Sequence, residues 1–327
     1  MMHAVRFSRR CRMILLLCVV LLCPVLSLAE EGSLEAVAAR ASEAAAGFAA
    51  PLPEGKVEVL PMDLTGGYGP WEDRYVSEVV YEDPSIRVQI ETYTVKTTRC
   101  LVARVKIADA SQLRTAPAYD FKRDQEAAVV DIANRVNAVA AINGDYYSYW
   151  RQHQGGYLIR QGVMYLNQVI KNRDVLLIDD QGDFTIVPQG TVDKVAAAVE
   201  SKTIINSFNF GPGLIVDGEK LDPSYTAMFN MSAESHQRSA ICQVKRGEKE
   251  YLLAVCEGMW TSEGMGLTLN EWVDFLYTLG VENAYNLDGG NSTALIFRGE
   301  KLNEPGNPYH RKLSDIIYFA SAWAGEE

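Results

Sequence analysis

The stretch YNLDGGNSTALIF, Tyr285 to Phe297, sets a short apolar run against an acid, two glycines and small polar residues. Ala284–Leu287 reads as a strand ending at Asp288, and a second apolar strand begins at Thr293. Paired glycines permit positive φ and let another group approach closely. Asp288, Gly289, Gly290, Asn291 and Ser292 therefore form the mouth of a tight loop between two buried elements. The same residue types make ordinary hairpin turns, so this stretch alone fits either a turn or a site.

The chain enters that loop from its clearest helix, Thr268–Leu279. Thr268-Leu269-Asn270-Glu271 has the capping-box pattern, in which N-cap and N3 side chains each satisfy a backbone N–H. Leu269, Trp272, Val273, Leu276 and Leu279 share one face, and Gly280 stands at the stop. Further out, strands dominate. Ser239–Lys245 and Tyr251–Cys256 form a pair, and Gly213–Val216 and Lys220-Leu221 flank the hairpin signal Asp217-Gly218. Tyr157–Arg160 with Gly162–Tyr165, and Val175–Asp179 with Phe184–Val187, read as more hairpin pieces. Alternation of Ile86, Val88 and Ile90, then of Leu101, Ala103, Val105 and Ile107, marks strands within Tyr75–Ala108. Val139–Ile142 and Ser314–Ala320 are short apolar strands. Amphipathic spacing predicts helices over Glu30–Ala50 and Phe121–Val136. The expected class is α+β: mixed, largely antiparallel β-sheets with a few packed helices. Residues 75–327 form the main domain, preceded by a helix and loop-rich linker over 30–74.

Residues 1–29 read as a secretory signal peptide. Arg6, Arg9, Arg10 and Arg12 precede the apolar run Met13–Leu26 and the small residues around Ala29. The run is shorter than the ~20 residues a membrane span needs, so no stable membrane insertion is expected after cleavage, and the mature protein is expected to be secreted into the cell envelope or beyond. Cleavage removes four arginines and no acid, taking the formal net charge from −11 to −15. Without a basic cluster to neutralise phosphates in series, nucleic acid is not an expected partner. Cys100, Cys242 and Cys256 remain, and an oxidising compartment allows a Cys242–Cys256 disulfide; otherwise they are buried thiols.

Three polar clusters each abut an apolar strand: Asn143-Gly144-Asp145, His236-Gln237-Arg238-Ser239, and the loop at Asp288. Together they bring carboxylates, a guanidinium, an imidazole and several amides or hydroxyls. Each has a plainer reading: Asp145 as a turn cap, Arg238 as a surface ion pair, His236 as a loop tie. Tyr146, Tyr147, Tyr149 and Trp150 suit either a core or sugar stacking. HExxH, zinc-type cysteine sets, GxSxG and GxxxxGK[ST] are all missing. Asp288 and Asn291 supply two oxygens, too few to define a calcium site; no cofactor is expected, with a structural divalent cation such as calcium left open.

Asn143-Gly144-Asp145-Tyr146-Tyr147, His236-Gln237-Arg238-Ser239-Ala240-Ile241 and Asn286-Leu287-Asp288-Gly289-Gly290-Asn291-Ser292, in this order, resemble the phosphodiester glycosidase family, as does Gly266-Leu267-Thr268-Leu269 before the last of them. The resemblance spans about residues 85–322. It implies a hydrolase acting on a sugar-1-phosphodiester or envelope glycan, with Asp288, Asp145 and His236 catalytic. Arg238 would grip the phosphate, and Asn143, Gly144, Ser239, Gly289, Gly290, Asn291 and Ser292 would line the substrate. A non-catalytic module binding an envelope polysaccharide would use the same fold without needing Arg238 and Asp288 together.

Overall fold

The computed structural model describes residues 30–122, 125–146, 156–222, 233–258, 265–304 and 311–326. The signal-peptide reading of residues 1–29 and the aromatic residues Tyr147, Tyr149 and Trp150 lie outside them. Along the chain come α1 (Leu34–Phe48), then β1 (Tyr75–Ser77), β2 (Val80–Glu82), β3 (Ile86–Val95), β4 (Thr98–Ile107) and β5 (Leu113–Pro117). Next are α2 (Val129–Arg135), β6 (Ala138–Asn143), β7 (Tyr157–Arg160), β8 (Val163–Asn167), β9 (Arg173–Asp179) and β10 (Phe184–Gly190). The helix α3 (Val192–Val199) precedes β11 (Ile204–Phe208), β12 (Gly213–Val216), β13 (Glu219–Lys220), β14 (Arg238–Gln243) and β15 (Glu250–Cys256). The chain ends with α4 (Leu269–Thr278), β16 (Asn283–Leu287), β17 (Leu295–Phe297), β18 (Glu300–Lys301) and β19 (Asp315–Ala320).

Nine strands form one sheet in the order β1-β2-β3-β4-β15-β14-β16-β12-β13, and five form another, β18-β17-β6-β19-β5. The strands β10-β9-β11 make a third sheet and β7-β8 a fourth. Every strand pairing among the described residues is antiparallel, and with four helices packed on them the α+β class holds. Side chains alternate across each strand. Ile241, Leu253, Val255, Tyr285 and Leu287 point inward from the large sheet to meet Ile142, Leu295, Ile317 and Phe319 of the five-stranded one. The opposite set, Ala240, Cys242, Ala254 and Cys256, packs under Trp272, Phe275 and Leu276 of α4 and Val37 of α1. The α4 N-terminus carries the expected box: Thr268 Oγ1 accepts from Glu271 N, and Glu271 Oε2 accepts from Thr268 N.

Four readings change or are decided. The opening stretch is no hairpin, because β16 belongs to the nine-stranded sheet and β17 to the five-stranded one. The loop between them crosses from one sheet to the other, with a single 3₁₀ turn at Gly290–Ser292, and the second strand starts at Leu295 rather than Thr293. The helix expected over Phe121–Val136 is confined to Val129–Arg135: Ala127 is already bridged to Leu313 by two backbone bonds of 3.0 and 2.9 Å, which holds that end extended. Elements also appear where none was expected, at β5, β11, β18 and α3. Finally, Cys242 and Cys256 do not join. Cys242 faces Leu252, while Cys256 faces Arg238 and Cys100, and all three thiols are free and buried.

Candidate active site

The sheet registers bring the three polar clusters together. Pairing of β17 with β6 sets Leu295 opposite Ile142, and pairing of β14 with β16 sets Ser239 opposite Leu287. The buried side chain of Asn143, at the end of β6, reaches into this junction. Its Oδ1 accepts from Ser239 Oγ at 2.9 Å and from Ala294 N at 3.2 Å. Its Nδ2 donates to Asp288 O at 2.8 Å and to Gly144 O at 3.2 Å. One amide thus ties all three clusters. The second and third also meet through the backbone, with Gly290 N donating to Gln237 O at 3.0 Å. A Cβ on Gly289 would lie 2.6 Å from that same oxygen, so the approach requires glycine. Asn143 and Ser239, expected against substrate, are instead inside the protein and bonded to each other.

Asp288 is half-buried, and its Oδ2 accepts from Ser292 Oγ at 2.6 Å. The same hydroxyl accepts from Arg311 Nη1 at 3.1 Å. Beyond it opens a cavity of about 300 Å³, lined by Ala128, Val129, Val130, Asn291, Ser292, Ala294, Lys301 and Arg311. Burial pushes the Lys301 ammonium down to about 8, opposed by the charge of Glu257. Glu257 is itself buried, its Oε1 accepting from Arg99 Nη1 at 3.0 Å and from Glu304 N at 2.7 Å. Neither Lys301 nor Arg311 stood out in the sequence. The one trace was a basic pair, Arg311-Lys312, just before the last strand of an acidic chain.

Arg238 and His236 frame the other side. Continuing the β14–β16 register by one residue sets Arg238 across from Asp288. Its fork, however, faces protein carbonyls: Nε donates to Leu267 O at 3.0 Å and Nη2 to Glu234 O at 2.9 Å. Burial holds this guanidinium below its ordinary range. Two of its nitrogens thus hold the loops before β14 and α4, the structural side of this residue's readings. The His236 backbone bridges to Leu267 in both directions, at 3.1 and 3.0 Å, and its imidazole Nε2 pairs with Glu234 Oε2 at 3.1 Å.

Asp145 lies two residues beyond Asn143. It is fully buried; Oδ2 accepts from Asn209 N and Nδ2, both at 2.7 Å, and Oδ1 from Phe210 N at 2.6 Å. Desolvation pushes this carboxyl up to about 6 against the opposing charge of Arg160. The side chain fastens the Asn209-Phe210 turn, which is the plainer of its two sequence readings. Gly144 is also structural: a Cβ there would lie 2.0 Å from Asp315 Oδ1, and Asp315 Oδ2 accepts from buried Arg160 Nε at 2.9 Å. Tyr146 is buried, donating to Asn209 O at 3.0 Å, so it serves the core rather than a sugar platform. Among the described residues no group of three or more His, Cys, Asp or Glu is placed to hold a metal ion, and no helix is long and apolar enough to cross a membrane.

Residues 136–320 match the sequence model of the phosphodiester glycosidase family. The SPbeta prophage-derived uncharacterized protein YomE of Bacillus subtilis (strain 168) is 25% identical over 262 residues, 75% of this chain but only 39% of that protein. Among solved structures, the pro-peptide-inhibited catalytic domain of zebrafish N-acetylglucosamine-1-phosphodiester α-N-acetylglucosaminidase superposes with a TM-score of 0.57 at 17% identity, covering 79% of this chain and 87% of that one. A hypothetical protein from Synechocystis superposes with a TM-score of 0.56 at 19% identity, covering 74% of this chain and 64% of that one. At such identities the two superpositions speak for the fold.

Proposed function

The chain belongs to the phosphodiester glycosidase family, and from that premise we propose that it hydrolyses the bond between a sugar's anomeric carbon and a phosphodiester oxygen. The products are free sugar and a phosphomonoester. The observation that carries this reading is the junction at Asn143, where one buried amide fixes Ser239, Ala294 and the Asp288 backbone and so sets the Asp288 carboxylate at the seam of two sheets.

A phosphomonoester dianion leaves readily, so the reaction needs less general-acid help than an alkyl glycoside does. It needs a carboxylate toward the anomeric carbon and cations where charge gathers on the departing oxygen. Asp288 supplies the first, as nucleophile or as base toward water, oriented by the Ser292 hydroxyl. A water oxygen becomes bonded to the anomeric carbon, the carbon–oxygen bond to phosphate breaks, and its electron pair leaves with the phosphate. His236, paired with Glu234, is the proton carrier of this reading. The export-signal reading of residues 1–29 supports a substrate outside the cytoplasm and with it an envelope glycan. An N-acetylglucosamine-1-phospho-linked compound is the first to try.

Hydrolysis in heavy-oxygen water tests the bond broken: label in the sugar supports the reading, and label in the phosphate makes the protein a phosphodiesterase. Asp288→Asn should abolish turnover while leaving the urea midpoint near wild type. Full activity in that variant removes Asp288 from the mechanism.

A further inference from the structure

The cavity beside Ser292 has a composition that the motif residues do not explain. Two cations from different parts of the chain, Lys301 at the end of β18 and Arg311 before β19, open into one small space with the Asn291 amide. The rest of its wall is apolar, formed by Ala128, Val129, Val130 and Ala294. At about 300 Å³ it is at the lower end of small-molecule sites. Water-poor walls strengthen a cation's attraction for an anion and weaken the cation's own solvation. A single hydroxyl, Ser292 Oγ, joins Arg311 to the Asp288 carboxylate, through contacts of 3.1 and 2.6 Å.

We propose that this cavity is the phosphoryl subsite, in which Arg311 and Lys301 donate to the non-bridging oxygens of the substrate's phosphate and Asn291 closes the rim. The proposal rests on the glycosidase reading above and brings this pair to the task expected of Arg238, two of whose nitrogens are held by Leu267 and Glu234. A guanidinium offers a planar fork matched to two phosphate oxygens, and an ammonium offers a compact point charge. The placement has a chemical consequence. Charge released as the glycosidic bond breaks accumulates between these two cations, while Asp288, one hydroxyl away, remains directed at the sugar. After cleavage the same cations hold the phosphomonoester, so inorganic phosphate should occupy the subsite and compete with substrate.

The charged surroundings fix how this should depend on pH. Lys301 faces Glu257 from the end of β15, which is paired with Arg99 of β4, and shares its cavity with Arg311. Lys301 discharges in mildly alkaline solution, because burial pushes its ammonium down to about 8. Inorganic phosphate only gains negative charge across that range, which by itself would strengthen binding, so weakening with rising pH reports the lysine.

The experiment is calorimetric titration of the full chain with inorganic phosphate, alongside turnover of a glycosyl phosphodiester. Wild type should bind phosphate, and binding should weaken about tenfold between roughly pH 7 and 9.5 as Lys301 loses its proton. Arg311→Gln should weaken it by about tenfold or more, and Arg311→Lys by less. Lys301→Arg should retain binding and flatten the pH dependence, since arginine stays charged. Each variant's urea midpoint is measured so that a folding defect is separated from a binding defect. If folded Arg311→Gln and Lys301→Met bind phosphate as wild type does, or wild type binds none while turning over substrate, the subsite is wrong and the glycosidase reading stands. If phosphate binds and is lost in the variants while no glycosyl phosphodiester is ever cleaved, the subsite stands and the glycosidase reading falls.

Discussion

Replacing Asn143 with alanine removes four hydrogen bonds at one stroke and leaves their partners behind. Ser239 Oγ and Ala294 N lose an acceptor, and the Asp288 and Gly144 carbonyls lose a donor. Ser239 is fully enclosed and Ala294 nearly so. A buried polar group left without a partner costs about 1–3 kcal/mol. Asp288 is half-exposed, so water can reach that end and the total should be roughly 3–6 kcal/mol rather than the full sum. Against a usual stability of about 5–15 kcal/mol that is a severe loss. With a urea slope of about 2–3 kcal/mol/M, the midpoint should fall by roughly 1–3 M at unchanged slope. Asn143→Asp is the sharper variant: it keeps an acceptor for Ser239 and Ala294 but turns a second oxygen onto the Asp288 carbonyl. Its turnover should collapse even where it remains folded, because the Asp288 backbone is pushed from its place. A midpoint shift for Asn143→Ala below roughly 0.5 M, or wild-type turnover in a folded Asn143→Asp protein, would refute the view that this amide sets the site.

Asp145 gives a pH signature of the opposite sign to most carboxylates. Its folded value, about 6, lies above its ordinary 3.8, so the native state keeps the proton longer than the unfolded chain. Stability from this group is therefore highest below about pH 4 and is lost as pH rises to about 6, a change on the order of 3 kcal/mol. Chemical denaturation across that range should show stability rising more steeply with pH in Asp145→Asn than in wild type; parallel curves would contradict the assignment. The three thiols should resist a water-soluble thiol reagent in the native protein and all react on unfolding. They are fully buried and their pKa values are raised by desolvation, Cys256 to about 12. Rapid native labelling of any of them would show that the sheet face under α4 opens.

The sequence announced its elements best where local and tertiary forces agree. The capping box at Thr268 and the apolar face of α4 were legible because the same residues start the helix and bury it. The strands β14 and β15 were legible as short, mostly apolar runs because cores cover both of their faces. Phe121–Val136 misled because helical spacing there competes with the bridge from Ala127 to Leu313, a contact 186 positions away in sequence that spacing cannot reveal. The helix α3 does carry helical spacing, with Val195, Ala198 and Val199 packed into one cluster, but at 8 residues it is too short to stand out among the strands around it. Within the site, Asp288 and its glycines were visible as a motif, but their destination was not. Nothing local says that β16 and β17 join different sheets, and nothing near Asp145 or Arg238 reveals that the partners are Asn209, Phe210, Leu267 and Glu234. Arg311 and Lys301 became candidates only when the fold carried them to Ser292.

The passage of the chain from one sheet to the other at Asp288 also says which changes the site can absorb. Its geometry behaves like a keystone between two arches, dependent on their spacing and indifferent to the length of remote connections. Surface loops far from the seam can lengthen or be exchanged without retuning the carboxylate. A bulky insertion between Leu287 and Ile142, whose buried side chains share the same inter-sheet core, would part the arches and disable the site without altering any residue in it. For the same reason, inactivation by denaturant should coincide with global unfolding instead of preceding it, because the site has no separate scaffold to lose first.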